Sequence, residues 1–269
     1  MSFMKRLDDA RKAYVRGDKK ASAAAHDPDQ IALAVHSEEH GGAGSQYIGD
    51  FVYGGLDGII TTFAVVSGVA GANLGTSVIL ILGMANLLAD GFSMATGAYL
   101  STKSEQEYYD KERQREQWEV EHFPEGERAE LYELYRQKGY SEEEADQILS
   151  IVTRDRERWV DAMMIDELGL LKDEGNPIFN GLATLVAFIV AGSVPLLAYL
   201  AGLVVAIPPE AAFPTSVVLS GLALFGLGVA RVVVTHQKPL RSGMEMLLVG
   251  GLAAVVAYVV GALLKGLGA

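Results

Sequence analysis

Cysteine is absent from this sequence, which excludes disulfides, zinc–thiolate centres and thiol nucleophiles and leaves the redox compartment open. A basic face is also missing. The chain has 22 Lys and Arg against 34 Asp and Glu, a net charge of −12, which argues against nucleic acid as a partner and in favour of cations. No phosphate-binding Gly-Lys loop, nucleophile elbow or H-E-x-x-H run is present, so nothing supports ATP-driven pumping or hydrolytic chemistry by this chain, and the reading is not an enzyme. Strand patterning and internal repeats are lacking too. The opening residues carry basic side chains but no apolar run of secretory length follows, so no cleaved targeting peptide is expected.

Charge is missing from long stretches, although half of the residues are hydrophobic and charged residues make up 21% of the chain. The charges crowd into residues 1–50 and 101–175. Between Phe51 and Thr102 only Asp57 and Asp90 are charged, and a Gly-rich break at Gly71–Gly75 divides that stretch into two segments. Spanning a hydrocarbon core of roughly 30 Å takes about 20 apolar helical residues. Both segments pass, as do Pro177–Ile207, Phe213–Val234 and Ser242–Leu264. The expected fold is therefore an all-α integral membrane protein with five transmembrane helices and a three-helix cytoplasmic metal-binding insert between helices two and three.

Four segments follow: a soluble, partly disordered extension over 1–47, helices one and two over 48–100, the acidic insert over 101–175, and helices three to five over 176–269. Asn176-Pro177 supplies a cap and a first-turn proline, while Ile207-Pro208-Pro209 and Lys238-Pro239 punctuate the later turns. Arg231, His236, Lys238 and Arg241 flank the connection between helices four and five, and the Gly71–Gly75 and Pro208–Pro214 connections contain no Lys or Arg. The positive-inside rule then places the insert and the N-terminus in the cytosol and the C-terminus opposite.

The insert is expected to hold three helices. The first continues helix two from Ser101 to about Phe123, before Pro124. The second covers about Glu125–Lys138, and the third starts at a Ser141/Glu144 capping box and runs to about Leu171. This segment carries 22 acidic and 11 basic residues. A merely solvated acidic domain would have the same composition. Spacing separates the two readings: Glu116 with Glu119, and Glu127 with Glu130, are i,i+3 pairs on one helix face, where like charges are costly unless a cation lies between them. Met163, Met164 and Glu167 fall within one turn, and core packing is the alternative use of the methionines. Mixed carboxylate and thioether ligands lean toward a transition metal such as ferrous iron.

The same pairing recurs in the membrane, where a carboxylate usually marks an ion path. Asp57 lies in helix one and Met94 in helix two, with Asp90 one turn earlier. Gly54 and Gly58 make a G-x-x-x-G, which serves close helix approach within a subunit or between two. Glu119 to His122 reads E-x-x-H, a di-iron carboxylate signature, but it occurs once, in a chain with five histidines. A membrane-anchored metal sensor or storage adaptor is the remaining alternative, and the intramembrane Asp57 and Met94 speak against it.

Asp50-Phe51-Val52-Tyr53-Gly54-Gly55-Leu56-Asp57-Gly58-Ile59-Ile60-Thr61-Thr62, then Ala89-Asp90-Gly91-Phe92-Ser93-Met94-Ala95-Thr96-Gly97, the two E-x-x-E pairs and Met163-Met164-Ile165-Asp166-Glu167 resemble the vacuolar iron transporter family over about residues 48–267. The resemblance implies a homodimer that carries ferrous iron, and often manganese, out of the cytosol in exchange for protons. Cobalt and zinc are further candidate ions, and no prosthetic group is implied. It also implies a membrane path at Asp57 and Met94 and a cytoplasmic site at Glu116, Glu119, Glu127, Glu130, Met163, Met164 and Glu167. The host would be the cell membrane of a prokaryote or the vacuolar membrane of a eukaryote. One position departs: the glutamate that plant members carry after the Ser-Met-Ala-x-Gly run is Ala98.

Overall fold

The structure, a computed structural model, describes residues 3–27, 31, 43–205, 207–232 and 237–266. Val234 and His236 lie outside them, as does most of 28–42. Two compact units divide between Gly49 and Asp50.

The first unit contains α1 (Phe3–Arg16) and α2 (Lys19–Ala25), which pack on each other. Gly17, at φ 65°, makes the turn between them. Asp18 then caps α2, accepting hydrogen bonds of 3.0 Å from the amides of Lys20 and Ala21. The segment expected to be partly disordered is thus helical over these two stretches.

In the second unit all regular structure among the described residues is helical. Its helices are α3 (Ala43–Gly71, which starts before the boundary), α4 (Thr76–His122), α5 (Pro124–Gln137), α6 (Glu142–Val152), α7 (Arg156–Ala162), α8 (Pro177–Gly192), α9 (Leu197–Ala201), α10 (Pro209–Ala230) and α11 (Pro239–Leu264). Five stretches are long and apolar enough to cross a membrane: Phe51–Gly71, the apolar part of α4, Pro177–Ala201, Glu210–Ala230 and Pro239–Leu264. The chain is a multi-pass membrane protein. Leu82, Leu88, Phe92, Val218, Leu222 and Leu252 are exposed on these helices, which lipid explains and water would not.

Helix contacts in the bundle are made where side chains vanish. A Cβ on Gly54 would meet the Thr184 carbonyl oxygen at 2.8 Å, and one on Gly58 would meet the Phe188 carbonyl oxygen at 2.5 Å. The G-x-x-x-G of α3 therefore lies against α8 of the same subunit, closing the alternative left open by the sequence. Helix α8 also packs along α4. Buried Val66, Leu87, Phe188, Leu196 and Tyr199 fill the space between them.

Helix α4 runs unbroken for 47 residues, about 70 Å at 1.5 Å per residue, so one rigid rod carries both a membrane span and one wall of the insert. It ends at His122, close to the expected Phe123. The third insert helix differs from expectation. It breaks at Thr153–Asp155, where the Thr153 hydroxyl donates to the Leu149 carbonyl at 2.8 Å and Asp155, in extended backbone, caps a new helix by accepting from the Arg158 amide at 3.0 Å. It also ends early, through a π-helical turn at Met163–Glu167 and left-handed Gly169 at φ 65°. The third span differs too. Pro195 cannot donate within a helix, and a 3-10 turn at Val194–Leu196 separates α8 from α9. The Pro195 carbonyl accepts from the buried Ser216 hydroxyl at 2.6 Å instead.

Candidate metal centre

The i,i+3 pair Glu116/Glu119 lies on the distal half of α4. Two residues after α4 ends, Pro124 opens α5, and the turn folds α5 back onto α4. Glu127, in the first turn of α5, thereby comes beside Glu116. Carboxylate oxygens of Glu116, Glu119 and Glu127 lie within 4.8 Å of one another, and so do those of Glu127, Glu130 and Glu167. Glu127 belongs to both trios. The structure thus brings together all five glutamates singled out in the sequence, three of them by tertiary folding.

Burial and like charge dominate the electrostatics of the cluster. Glu116 is fully buried and Glu127 nearly so. Neither oxygen of Glu116 has a hydrogen-bond donor among the described residues, and Glu127 Oε2 also lacks one. Burial, with the charges of Glu167 and Glu119 adding to it and Arg115 opposing, pushes the Glu116 carboxyl up to about 7. Burial and the charges of Glu116, Glu130, Glu119 and Glu167 push Glu127 up to about 8. Glu167 is raised mainly by burial and by Glu130. With both buried carboxylates ionised, neither can donate to the other, so a proton or a cation is needed between them. Oxygen-only trios of this kind suit hard or borderline divalent ions.

Arg115 was not singled out by spacing. Its guanidinium forms an ion pair with Glu119, reaches Glu112 at 2.9 Å and lies 2.6 Å from Glu116 Oε1 without hydrogen-bond alignment. It is the local counter-charge. A basic residue directly beside the first glutamate of an E-x-x-E pair is the signal that could have found it.

Met163 and Met164 are fully buried, packed with Leu131, Leu149, Trp159 and Val160 in the apolar core of the insert. They begin the π turn that ends at Glu167, in which the Leu168 amide donates to the Met163 carbonyl at 3.2 Å. Such turns are rare and insert one residue into the helical phase, which re-aims the side chains beyond them. His122 stacks on Trp118 at 4.5 Å between ring centroids, and its Nδ1 lies 2.8 Å from the Trp118 carbonyl oxygen. It belongs to neither carboxylate trio, so the E-x-x-H run makes no second metal motif here.

Within the membrane Asp57 is half-buried on α3, and Thr61 donates to its backbone carbonyl at 2.8 Å. Asp90 and Met94, both half-buried, lie one turn apart on α4. Met94 packs against the buried cluster around Leu87 and Phe188.

The family model described as VIT family matches residues 48–262. A "Vacuolar iron transporter" of Toxoplasma gondii is 39% identical over 267 residues, covering 96% of this chain and 88% of the relative. One of Plasmodium falciparum is 34% identical, with 97% of each chain covered. "Vacuolar iron transporter 1" of Arabidopsis thaliana is 35% identical, covering 85% of this chain and 90% of the relative.

Proposed function

We propose that this chain, which belongs to the VIT family, exports ferrous iron from the cytosol in exchange for protons, with manganese as a second cargo. Metal-ion transport across a membrane follows from the family; the ion, the direction, the coupling and the residues are our reading. The observation that carries it is the pair of carboxylate trios sharing buried Glu127 at the end of a helix that continues into the membrane.

In this reading residues 101–175 are a cytosolic collecting domain and residues 48–100 with 176–269 form the membrane body, the N-terminus lying on the cytosolic side. Glu116, Glu119, Glu127, Glu130 and Glu167 exchange protons for metal, since ions of like charge cannot all remain bare in a buried cluster. Met163 and Met164, which pack in the apolar core of the insert, are in this reading the thioether ligands that favour iron over magnesium. The ion passes to Asp57 and Met94, with Asp90 one turn deeper along α4, and a partly dehydrated ion is held there by one carboxylate and one thioether. A proton taken up by Asp57 from the far side resets the path. Two copies assemble as a homodimer, because five spans give one subunit little wall around a path.

Uptake by proteoliposomes across a panel of iron, manganese, cobalt, zinc and magnesium, with and without an acid interior, tests the proposal. Gradient-dependent uptake of iron and manganese is expected. Binding without uptake would instead identify a membrane-anchored sensor.

A further inference from the structure

An apolar cavity of about 380 Å³ lies between α3, α10 and α11, separate from the carboxylate cluster and from Asp57. Phe63 and Ser67 line it from α3, Leu224 from α10, and Leu247, Gly251 and Tyr258 from α11. Well-packed interiors leave few voids larger than a water molecule, and ligand pockets usually fall between about 300 and 1,000 Å³. This space is a half-open groove of ligand-binding size rather than an enclosed void.

Its orientation is set by the helices. Helix α10 runs toward the insert side of the membrane and α11 runs back, so Phe213 and Tyr258 share one end, their rings stacked at 5.8 Å. Leu224 and Leu247 mark the other. The run from Phe213 to Leu224 spans about 16 Å at 1.5 Å per residue, and one leaflet contributes about 15 Å of a 30 Å hydrocarbon core. The long axis therefore matches the depth of a single leaflet, the one opposite the insert. Val217 and Val255, 40% and 59% exposed, form an open rim on the outer surface of the helices.

One polar group interrupts the apolar wall. Ser67 is 1% exposed, and its hydroxyl has no hydrogen-bond partner among the described residues. It lies four residues before α3 ends at Gly71, about 6 Å below the turn. The unpartnered hydroxyl is thus about one helical turn from the interface where lipid esters begin. Leaving it unsatisfied in hydrocarbon is costly.

We propose that this cavity binds one acyl chain of a phospholipid of that leaflet, with the ester carbonyl accepting a hydrogen bond from Ser67 Oγ. The methylenes run inward past Phe63 and Gly251 toward Leu224. A Cβ placed on Gly251 would meet nothing within 4 Å, so a large side chain there would occupy the chain's place without disturbing backbone contacts.

Native mass spectrometry of the full chain released from phosphatidylcholine nanodiscs tests this. The wild type should retain one phospholipid per protomer. Gly251→Phe should lose it, and Ser67→Ala should retain it about five-fold less, the effect of one hydrogen bond. An ether-linked phosphatidylcholine, which lacks the carbonyl, should bind the wild type no better than the ester lipid binds Ser67→Ala. Equal retention by all three proteins, or a retained fatty acid or other non-phospholipid in place of the ester lipid, would overturn the proposal. Should Gly251→Phe fail to fold, a Phe213→Trp reporter decides the question: quenching by phosphatidylcholine brominated on the acyl chain supports the site, and an unquenched reporter contradicts it.

Discussion

Glu127 is the residue on which the carboxylate cluster turns, because it belongs to both trios. Glu127→Gln should therefore lower the manganese capacity of the detergent-solubilised protein more than Glu130→Gln does, as read by calorimetry. The raised carboxyls also set a pH dependence. Burial and the neighbouring carboxylates hold Glu116 up at about 7 and Glu127 up at about 8 in the folded state, against the ordinary glutamate value of 4.5. Between the unfolded and folded values the folded state binds more protons, so the stability of the metal-free protein should fall as pH rises from about 5 to 8. Thermal melts should show that slope, and manganese should abolish or reverse it at pH 8. Arg115 holds Glu116 lower than burial alone would, so Arg115→Gln should move the pH midpoint of metal binding upward. The two E-x-x-E pairs were legible from their spacing. The sharing of Glu127 was not, because it depends on how the Phe123–Pro124 turn folds α5 onto α4. The buried packing of Met163 and Met164 likewise follows from the tertiary core around Leu131 and Trp159.

Helices were legible where their ends are written locally. The Ser141/Glu144 capping box and the Asn176-Pro177 start appear as expected. The misses have equally local causes that apolar periodicity masks. Asp155 is a helix cap set inside a run that otherwise continues the helical pattern, and Pro195 interrupts a stretch whose hydropathy alone reads as one span. The π turn at Met163–Glu167 has no such marker; a one-residue phase change in a helix is decided by what packs around it. Close approach of α3 and α8 predicts a fragile contact in the bundle. Gly58→Leu would force a side chain against the Phe188 backbone, where even a Cβ comes within 2.5 Å of the carbonyl oxygen. A loss of about 1–3 kcal/mol is expected for such overpacking, visible as a lowered unfolding temperature in detergent, whereas Gly97→Ala, with open space at the Cβ, should be neutral.

For the whole molecule, segregation of charge was the most readable feature of the sequence. Uncharged stretches became five candidate spans, and the acidic segment became a run of helices with its own apolar core. Rigid α4 joins the two, so Glu116 and Glu119 of the carboxylate cluster and the span carrying Asp90 and Met94 share one helix. The account stands on transport through Asp57 driven by proton exchange. Its most direct test is initial ferrous iron uptake into proteoliposomes with an acid interior, wild type against Asp57→Asn. We predict gradient-dependent uptake by the wild type and a loss of about ten-fold or more in the variant, the equivalent of about 1.4 kcal/mol; uptake by Asp57→Asn at the wild-type rate, or wild-type uptake indifferent to the gradient, would contradict it.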